Sequence, residues 1–121
     1  MINEKKNIIL ELSFKFALRV IEFSELLEKE RKFVIANQLL KSGTSIGANI
    51  REAQGAESKA DFIHKMKIAA KEAEETEYWL ELCQHAENYP YDSILTGDLI
   101  SIKKLLSKII SSSKKISTSA N

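Results

Sequence analysis

The sequence predicts an all-α protein, an antiparallel up-down-up-down bundle of four helices. Its 121 residues include one proline and four glycines, so long uninterrupted helices fit and the turn signals of β-hairpins are absent. Apolar residues recur at helical spacing in each of four segments, which is typical of helices that share one core. The short connections between these segments make successive helices antiparallel. We therefore expect a single domain over residues 1–121.

The first helix is predicted over about residues 4–30, behind Asn3 as a possible cap. Its apolar residues form two neighbouring stripes, the first being Ile9, Leu12, Phe16, Val20, Phe23 and Leu27, and the second being Leu10, Phe14, Ala17 and Ile21. A helix in a four-helix bundle normally needs one buried face, so the second stripe either packs widely inside the monomer or meets another subunit. We favour the subunit, and these four residues are candidates for an oligomer interface.

The second helix is predicted over about residues 33–54, with Gly55 as the C-terminal stop. Its apolar stripe contains several small residues and comprises Ala36, Leu39, Leu40, Gly43, Ile46, Gly47 and Ile50. We expect the small residues to let a neighbouring helix approach closely.

The third helix is predicted over about residues 59–87, with Ser58 as N-cap and Asp61 three residues later, a relative of the capping box. The core stripe comprises Phe62, Met66, Ala69, Ala70, Ala73, Leu80 and Cys83. Ile68, Trp79 and Leu82 lie on the opposite side, and an exposed tryptophan is a good interface anchor. We therefore add these three residues to the predicted oligomer interface.

The fourth helix is predicted over about residues 93–115, after a break at Pro90. The members of its apolar stripe are Leu95, Leu99, Ile102, Leu105, Leu106 and Ile109. Residues 116–121 are expected to form a frayed tail.

Charge is unevenly distributed along the chain, although the net charge is only +1. Residues 72–98 carry eight acidic residues and no lysine or arginine, whereas residues 99–121 carry five lysines and no acidic residue. Such complementary segments favour self-association or neighbouring antiparallel helices. The candidate contacts for nucleic-acid phosphates are Lys41, Arg51, Lys103, Lys104 and Lys108. The alternative is that these side chains form an ordinary solvated surface.

Polar residues near the core stripes predict buried contacts between helices, because a buried charge needs a partner. Glu77 lies near the core stripe of the third helix and Arg51 borders that of the second, so a cross-helix contact should involve one or both. Asn49 and Glu52 are further candidates, expected on the outer flank of this contact, and Glu75 is another. We expect these residues to fix helix register and subunit orientation.

Catalytic and metal motifs are incomplete. Asp61 and His64 have the spacing of half a di-metal bundle site, but a second acid-x-x-His pair is absent. His85 is expected at the surface, and Cys83 as a small buried hydrophobe. No catalytic residue, cofactor, metal or small-molecule substrate is predicted. The short apolar run near the N-terminus predicts neither a signal peptide nor a membrane span, so we expect a cytoplasmic protein without a membrane partner.

Three ordered segments carry a resemblance to a known family. They are Gln38–Ala53 (QLLKSGTSIGANIREA), Lys59–Ile63 (KADFI) and Ile68–Leu80 (IAAKEAEETEYWL). The chain resembles the bacterial four-helix-bundle proteins of the ribosomal RNA intervening-sequence family, and it is similar to the accessory variability protein of diversity-generating retroelements. The resemblance implies a four-helix bundle that assembles as a pentamer. It assigns no activity, although the retroelement relative associates with a reverse transcriptase and nucleic acid.

Two functional hypotheses follow. The first is a non-enzymatic homo-oligomeric scaffold or adaptor that binds RNA or a nucleic-acid-associated protein. The second is an enzyme that uses Glu75, Glu77 or His64 in a pocket between subunits, which would require a strongly perturbed titrating group in a concave site.

Overall fold

The structure is a computed structural model that describes the backbone of residues 4–119 and the side chains of residues 8–115. It contains four helices, α1 (Glu4–Lys29), α2 (Phe33–Ala53), α3 (Lys59–His85) and α4 (Ser93–Ser119). Each helix packs against the next in the chain, and α4 also packs against α1, which closes the bundle. The predicted all-α four-helix architecture is confirmed.

The helix ends differ from the prediction by small amounts. The first three helices end one or two residues earlier than expected, whereas α4 continues four residues further, to Ser119. Residues 116–119 are therefore helical and not a frayed tail, because neither glycine nor proline interrupts the chain there. The proposed cap Asn3 and residues 120 and 121 lie outside the described residues.

Local hydrogen bonds set the other helix ends. Ser58 Oγ accepts a bond of 3.0 Å from the Asp61 amide, as the capping motif predicted. Asp92 Oδ1 caps α4 by accepting bonds from the amides of Ile94 and Leu95. α1 ends in a Schellman motif, in which Arg31 adopts the left-handed conformation with φ 65°.

Side chains from all four helices form one continuous core. Its largest fully buried members are Phe16, Ile9, Leu27, Leu39, Ile46, Ile50, Met66, Leu80, Leu95, Leu99, Ile102 and Leu106. Two residues of the predicted stripes, Leu12 and Leu40, are instead exposed, whereas Ser13, Ser24, Ser42 and Thr76 are buried. The buried faces of α1 and α2 are therefore rotated slightly from the predicted stripes. Hydroxyl side chains occupy some of the buried positions.

Two glycines bring α2 close to α1. Gly43 faces Val20 of α1 so closely that a Cβ atom added to it would lie 2.8 Å from both methyl carbons. A Cβ atom on Gly47 would meet the backbone oxygen and hydroxyl of Ser13 at 3.4 Å. α2 approaches α1 and α3 more closely along its length than α4 approaches either of its neighbours. The predicted role of the glycines in close packing thus applies to the seam between α1 and α2.

Candidate interaction surfaces

A groove of about 250 Å³ separates the outer sides of α1 and α2. Its lining from α1 comprises Leu10, Ser13, Phe14 and Ala17, and its lining from α2 comprises Thr44, Gly47, Ala48 and Arg51. Phe14 is 52% exposed, and the Arg51 guanidinium carbon lies 5.7 Å from the centre of its ring. This distance allows a cation–π interaction that holds the arginine at the edge of the groove.

The apolar surface continues beyond this groove along both helices. Ile21, one turn after Ala17, is 40% exposed, and Leu40, one turn before Thr44, is 37% exposed. We call the side chains of Leu10, Phe14, Ala17, Ile21, Leu40 and Arg51 the α1/α2 surface. The second stripe of α1 is therefore left largely uncovered by the chain's own helices.

A smaller apolar area lies on the outer side of α3. Trp79 is half-buried against the core, and its indole nitrogen donates a hydrogen bond of 3.2 Å to Glu75 Oε2. The prediction of an exposed tryptophan is therefore wrong. Tyr78, whose ring meets the tryptophan edge-on at 5.3 Å, is instead 55% exposed. Leu82 is exposed and Ile68 is half-buried on the same side of α3. We call the side chains of Ile68, Tyr78, Trp79 and Leu82 the α3 patch.

The polar contact between α3 and α4 centres on a half-buried lysine. Lys103 Nζ lies 2.7 Å from Glu77 Oε1 and 2.9 Å from Glu74 Oε1. Burial by itself lowers the pKa of Lys103, but hydrogen bonds and charge attraction from the two carboxylates outweigh it and leave the pKa raised. Glu77 thus lies in a cross-helix contact, and its partner comes from α4.

The other candidates for buried polar contacts lie elsewhere. Arg51, Glu52 and Glu75 are exposed, so the prediction that they are buried is wrong. Asn49 is half-buried and donates to the Ser45 carbonyl oxygen in its own helix. These side chains reach solvent because each lies outside the narrow faces where α2 and α3 meet their neighbours.

A fully buried polar contact joins α2 to α3 at a position that the sequence did not indicate. The hydroxyls of Ser42 and Thr76 are 2.9 Å apart, and Thr76 Oγ1 also lies 2.7 Å from the Glu72 carbonyl oxygen. Because the threonine has one hydroxyl proton and donates it to that carbonyl, the serine hydroxyl donates in the bond between the helices. Both hydroxyls are therefore satisfied inside the core.

A second groove, of about 600 Å³, runs between α3 and α4, and its charged lining residues are three lysines and one glutamate. Its lining comprises Ala70, Glu74, Lys103, Lys104, Ser107, Ile110, Ser111 and Lys114. At its edge, a side-chain hydrogen bond and like-charge repulsion from Lys114 lower the pKa of Lys67. We call this feature, with Lys67 included, the α3/α4 groove.

The residues predicted to contact phosphate lie in different parts of the structure. Lys104 lines the α3/α4 groove, whereas Lys41, Arg51 and Lys108 are exposed at other positions. Lys103 is neutralised by two carboxylates, so its prediction as a phosphate contact is wrong. Lys67 and Lys114 were not among the predicted residues, because their proximity depends on the register of α3 against α4.

The residues with catalytic or metal-binding chemistry are dispersed. Within residues 8–115, no three histidine, cysteine, aspartate or glutamate side chains are close enough to hold a metal ion. His64 and His85 are both exposed. Cys83 is buried, and burial raises the pKa of its thiol to about 11. No described helix is long and apolar enough to cross a membrane.

Comparison with known proteins places the chain in a family. A model of the 23S rRNA-intervening sequence protein family matches residues 5–115. A solved structure from Bacteroides thetaiotaomicron, a protein of unknown function from the S23 ribosomal protein family, is 48% identical. It superposes with a TM-score of 0.84, over 88% of this chain and 98% of its own. No curated protein matches the sequence. The chain therefore belongs to the 23S rRNA-intervening sequence protein family.

Proposed function

We propose that this protein is a non-enzymatic homo-oligomeric scaffold or adaptor that assembles through the α1/α2 surface. The observation that carries this proposal is that Phe14, Ile21 and Leu40 remain exposed next to one another on two adjacent helices. Contiguous apolar surface of this kind marks sites of protein association. Association with another copy removes it from water.

A second copy is the favoured occupant because the chain also carries a suitable counter-surface. A closed ring needs two different patches on each subunit, one for each neighbour. The α3 patch, with Tyr78 and Leu82 exposed, supplies the second one, and α3 lies across the bundle from α1. Near it, Glu75 and Glu81 are exposed carboxylates that can pair with Arg51 of the neighbouring copy. The family resemblance favours five copies in such a ring.

Light scattering of the purified protein tests the assembly. One chain has a mass of 13.7 kDa, so a pentamer should have a mass of about 68 kDa. We expect Ile21→Glu to shift the mass to that of one chain, because a carboxylate would be desolvated in the interface. Leu26→Glu is the matched control, because Leu26 is 43% exposed on the same helix but outside the α1/α2 surface. A wild-type mass of one chain at all concentrations would refute the proposal.

The adaptor role requires a further partner, and we infer RNA or a protein that accompanies nucleic acid. This inference is supported by the basic α3/α4 groove and by the resemblance to nucleic-acid-associated proteins. The residues that line the groove belong neither to the α1/α2 surface nor to the α3 patch, so we expect the groove to stay accessible in the assembly.

A further inference from the structure

Positive charge is concentrated at one end of the α3/α4 face. Residues 59–71 of α3 contain four lysines and one aspartate, and residues 103–115 of α4 contain five lysines and no acidic residue. Because α3 and α4 are antiparallel, the beginning of α3 lies beside the end of α4. The acidic segment, residues 72–98, covers the end of α3 and the beginning of α4, and only its Glu74 lines the groove. A long anion is therefore attracted to a defined end of the bundle.

Within this basic end, two lysine side chains are held next to each other. Lys67 on α3 and Lys114 on α4 are close enough that the pKa of Lys67 is lowered by its neighbour. Each of two adjacent ammonium groups favours a nearby negative charge. Juxtaposed lysines from different helices are thus suited to a phosphate group.

The same groove supplies hydrogen-bond donors of the right kind. Ser107 and Ser111, one turn apart on α4, line it together with Lys104. Their hydroxyls can donate to phosphate oxygens, which accept hydrogen bonds readily from serine and lysine. On the opposite wall, Glu74 is paired with Lys103 and so is already partly neutralised.

The basic area is longer than one phosphate group. Lys104 and Lys114 are ten residues apart on α4, which corresponds to about 15 Å at the rise of an α-helix. A single inorganic phosphate would engage only part of this length, whereas a strand with several phosphates would engage all of it.

We propose that the α3/α4 groove binds the phosphate backbone of a nucleic-acid strand, with Lys67, Lys104 and Lys114 neutralising phosphates and Ser107 and Ser111 donating hydrogen bonds. The proposal rests on the adaptor role and identifies where its partner is held. It gives no sequence specificity, because contacts of this type position a strand without reading bases.

Binding of a labelled single-stranded RNA of mixed sequence, measured by fluorescence anisotropy at increasing salt, tests the proposal. Three neutralised phosphates predict a slope of log K against log salt of about −2.1, so affinity should fall about twentyfold between about 50 mM and 200 mM salt. Binding that is absent at the lower salt, or that does not change with salt, would overturn the proposal.

The double variant Lys67→Gln/Lys114→Gln locates the site. We expect it to retain one phosphate contact, so the slope should become about −0.7 and the same salt change should weaken binding only about threefold. The control is Lys15→Gln/Lys29→Gln, which removes the same net charge from exposed positions on α1. Equal effects of the two double variants would mean that general charge, not the groove, attracts the RNA, and would overturn the proposal.

Two further measurements distinguish a loss of RNA binding at the groove from a loss of folding or of assembly. Circular dichroism and urea unfolding of Lys67→Gln/Lys114→Gln should show that the variant is folded under the binding conditions. The Ile21→Glu variant should bind the RNA with the same salt slope per chain even when its mass is that of a monomer. A wild-type protein that has the mass of one chain but still binds RNA would refute only the proposed assembly. Binding to vesicles that contain anionic lipid, without binding to RNA, would refute the groove proposal.

Discussion

Gly43 of α2 and Val20 of α1 are packed so closely that an added Cβ atom would lie 2.8 Å from both valine methyl carbons. Both residues are buried, and the branched valine has little freedom to rotate away. We therefore expect Gly43→Ala to lower the free energy of unfolding by about 1–3 kcal/mol, the usual cost of overpacking a core. Urea unfolding followed by circular dichroism measures this change.

Gly97 provides the control for that prediction. It is exposed in α4, and a Cβ atom added there would have no neighbour within 4 Å. Gly97→Ala should raise the free energy of unfolding by about 0.5–1 kcal/mol, because alanine loses less conformational freedom in a helix. If both substitutions stabilised the protein, the close packing of α1 against α2 would be contradicted.

The hydrogen bond between Ser42 and Thr76 should show strong coupling in a double-mutant cycle. Thr76→Val leaves the buried serine hydroxyl without its acceptor, so we expect a loss of about 1–3 kcal/mol in the free energy of unfolding. Ser42→Ala/Thr76→Val removes both hydroxyls. It should lower the free energy of unfolding by less than the sum of the effects of Ser42→Ala and Thr76→Val. Additive effects would show that the two hydroxyls act independently.

The buried thiol of Cys83 should make stability depend on pH in the alkaline range. Its pKa rises from 9.0 to about 11 on folding, because burial disfavours the thiolate. Between these values the unfolded chain has released the proton that the native chain still holds, so stability should fall as pH rises and then level off. Urea unfolding between about pH 8 and 11 should show a shallower decline for Cys83→Ala than for the wild type. Rapid reaction of the native thiol with a disulfide reagent at neutral pH would contradict its burial.

A glycine at position 31, in the turn between α1 and α2, should stabilise the protein. Arg31 has a φ of 65°, a conformation that costs a residue with a Cβ atom about 1–2 kcal/mol. Arg31→Gly removes this strain but gains freedom in the unfolded chain, so we expect a net stabilisation of about 0.5–1 kcal/mol. Arg31→Ala is the control, because it removes the charge but keeps the Cβ atom, and its unfolding midpoint should not rise.

The sequence predicted the helices well because their signals are local. α3 begins directly after the recognised cap Ser58, and α4 begins shortly after the recognised break at Pro90. The buried serines and Thr76 were missed because hydroxyls normally indicate surface. Inside a helix, however, such a hydroxyl can be satisfied by a backbone carbonyl three or four residues earlier, as Ser13 is by Leu10.

The candidate surfaces were only partly predictable, because they depend on how the helices are rotated and aligned. The second stripe of α1 follows directly from periodicity, and two of its four residues, Phe14 and Ile21, are exposed in the structure. The pairing of Lys67 with Lys114 and of Lys103 with Glu77 requires the register of α3 against α4, which no local pattern contains. For that reason Lys103 was assigned to phosphate binding, although its charge is used within the fold.

The looser fit of α4 against its neighbours has a dynamic consequence. α2 is joined to α1 and α3 through glycines and buried hydroxyls, whereas α4 is held mainly by larger apolar side chains at wider spacing. Partial unfolding should therefore begin with the release of α4, while α1, α2 and α3 remain together as one cooperative unit. Amide hydrogens of α4 would exchange faster than those of α2, and a released α4 could be exchanged between copies of the chain as a swapped element.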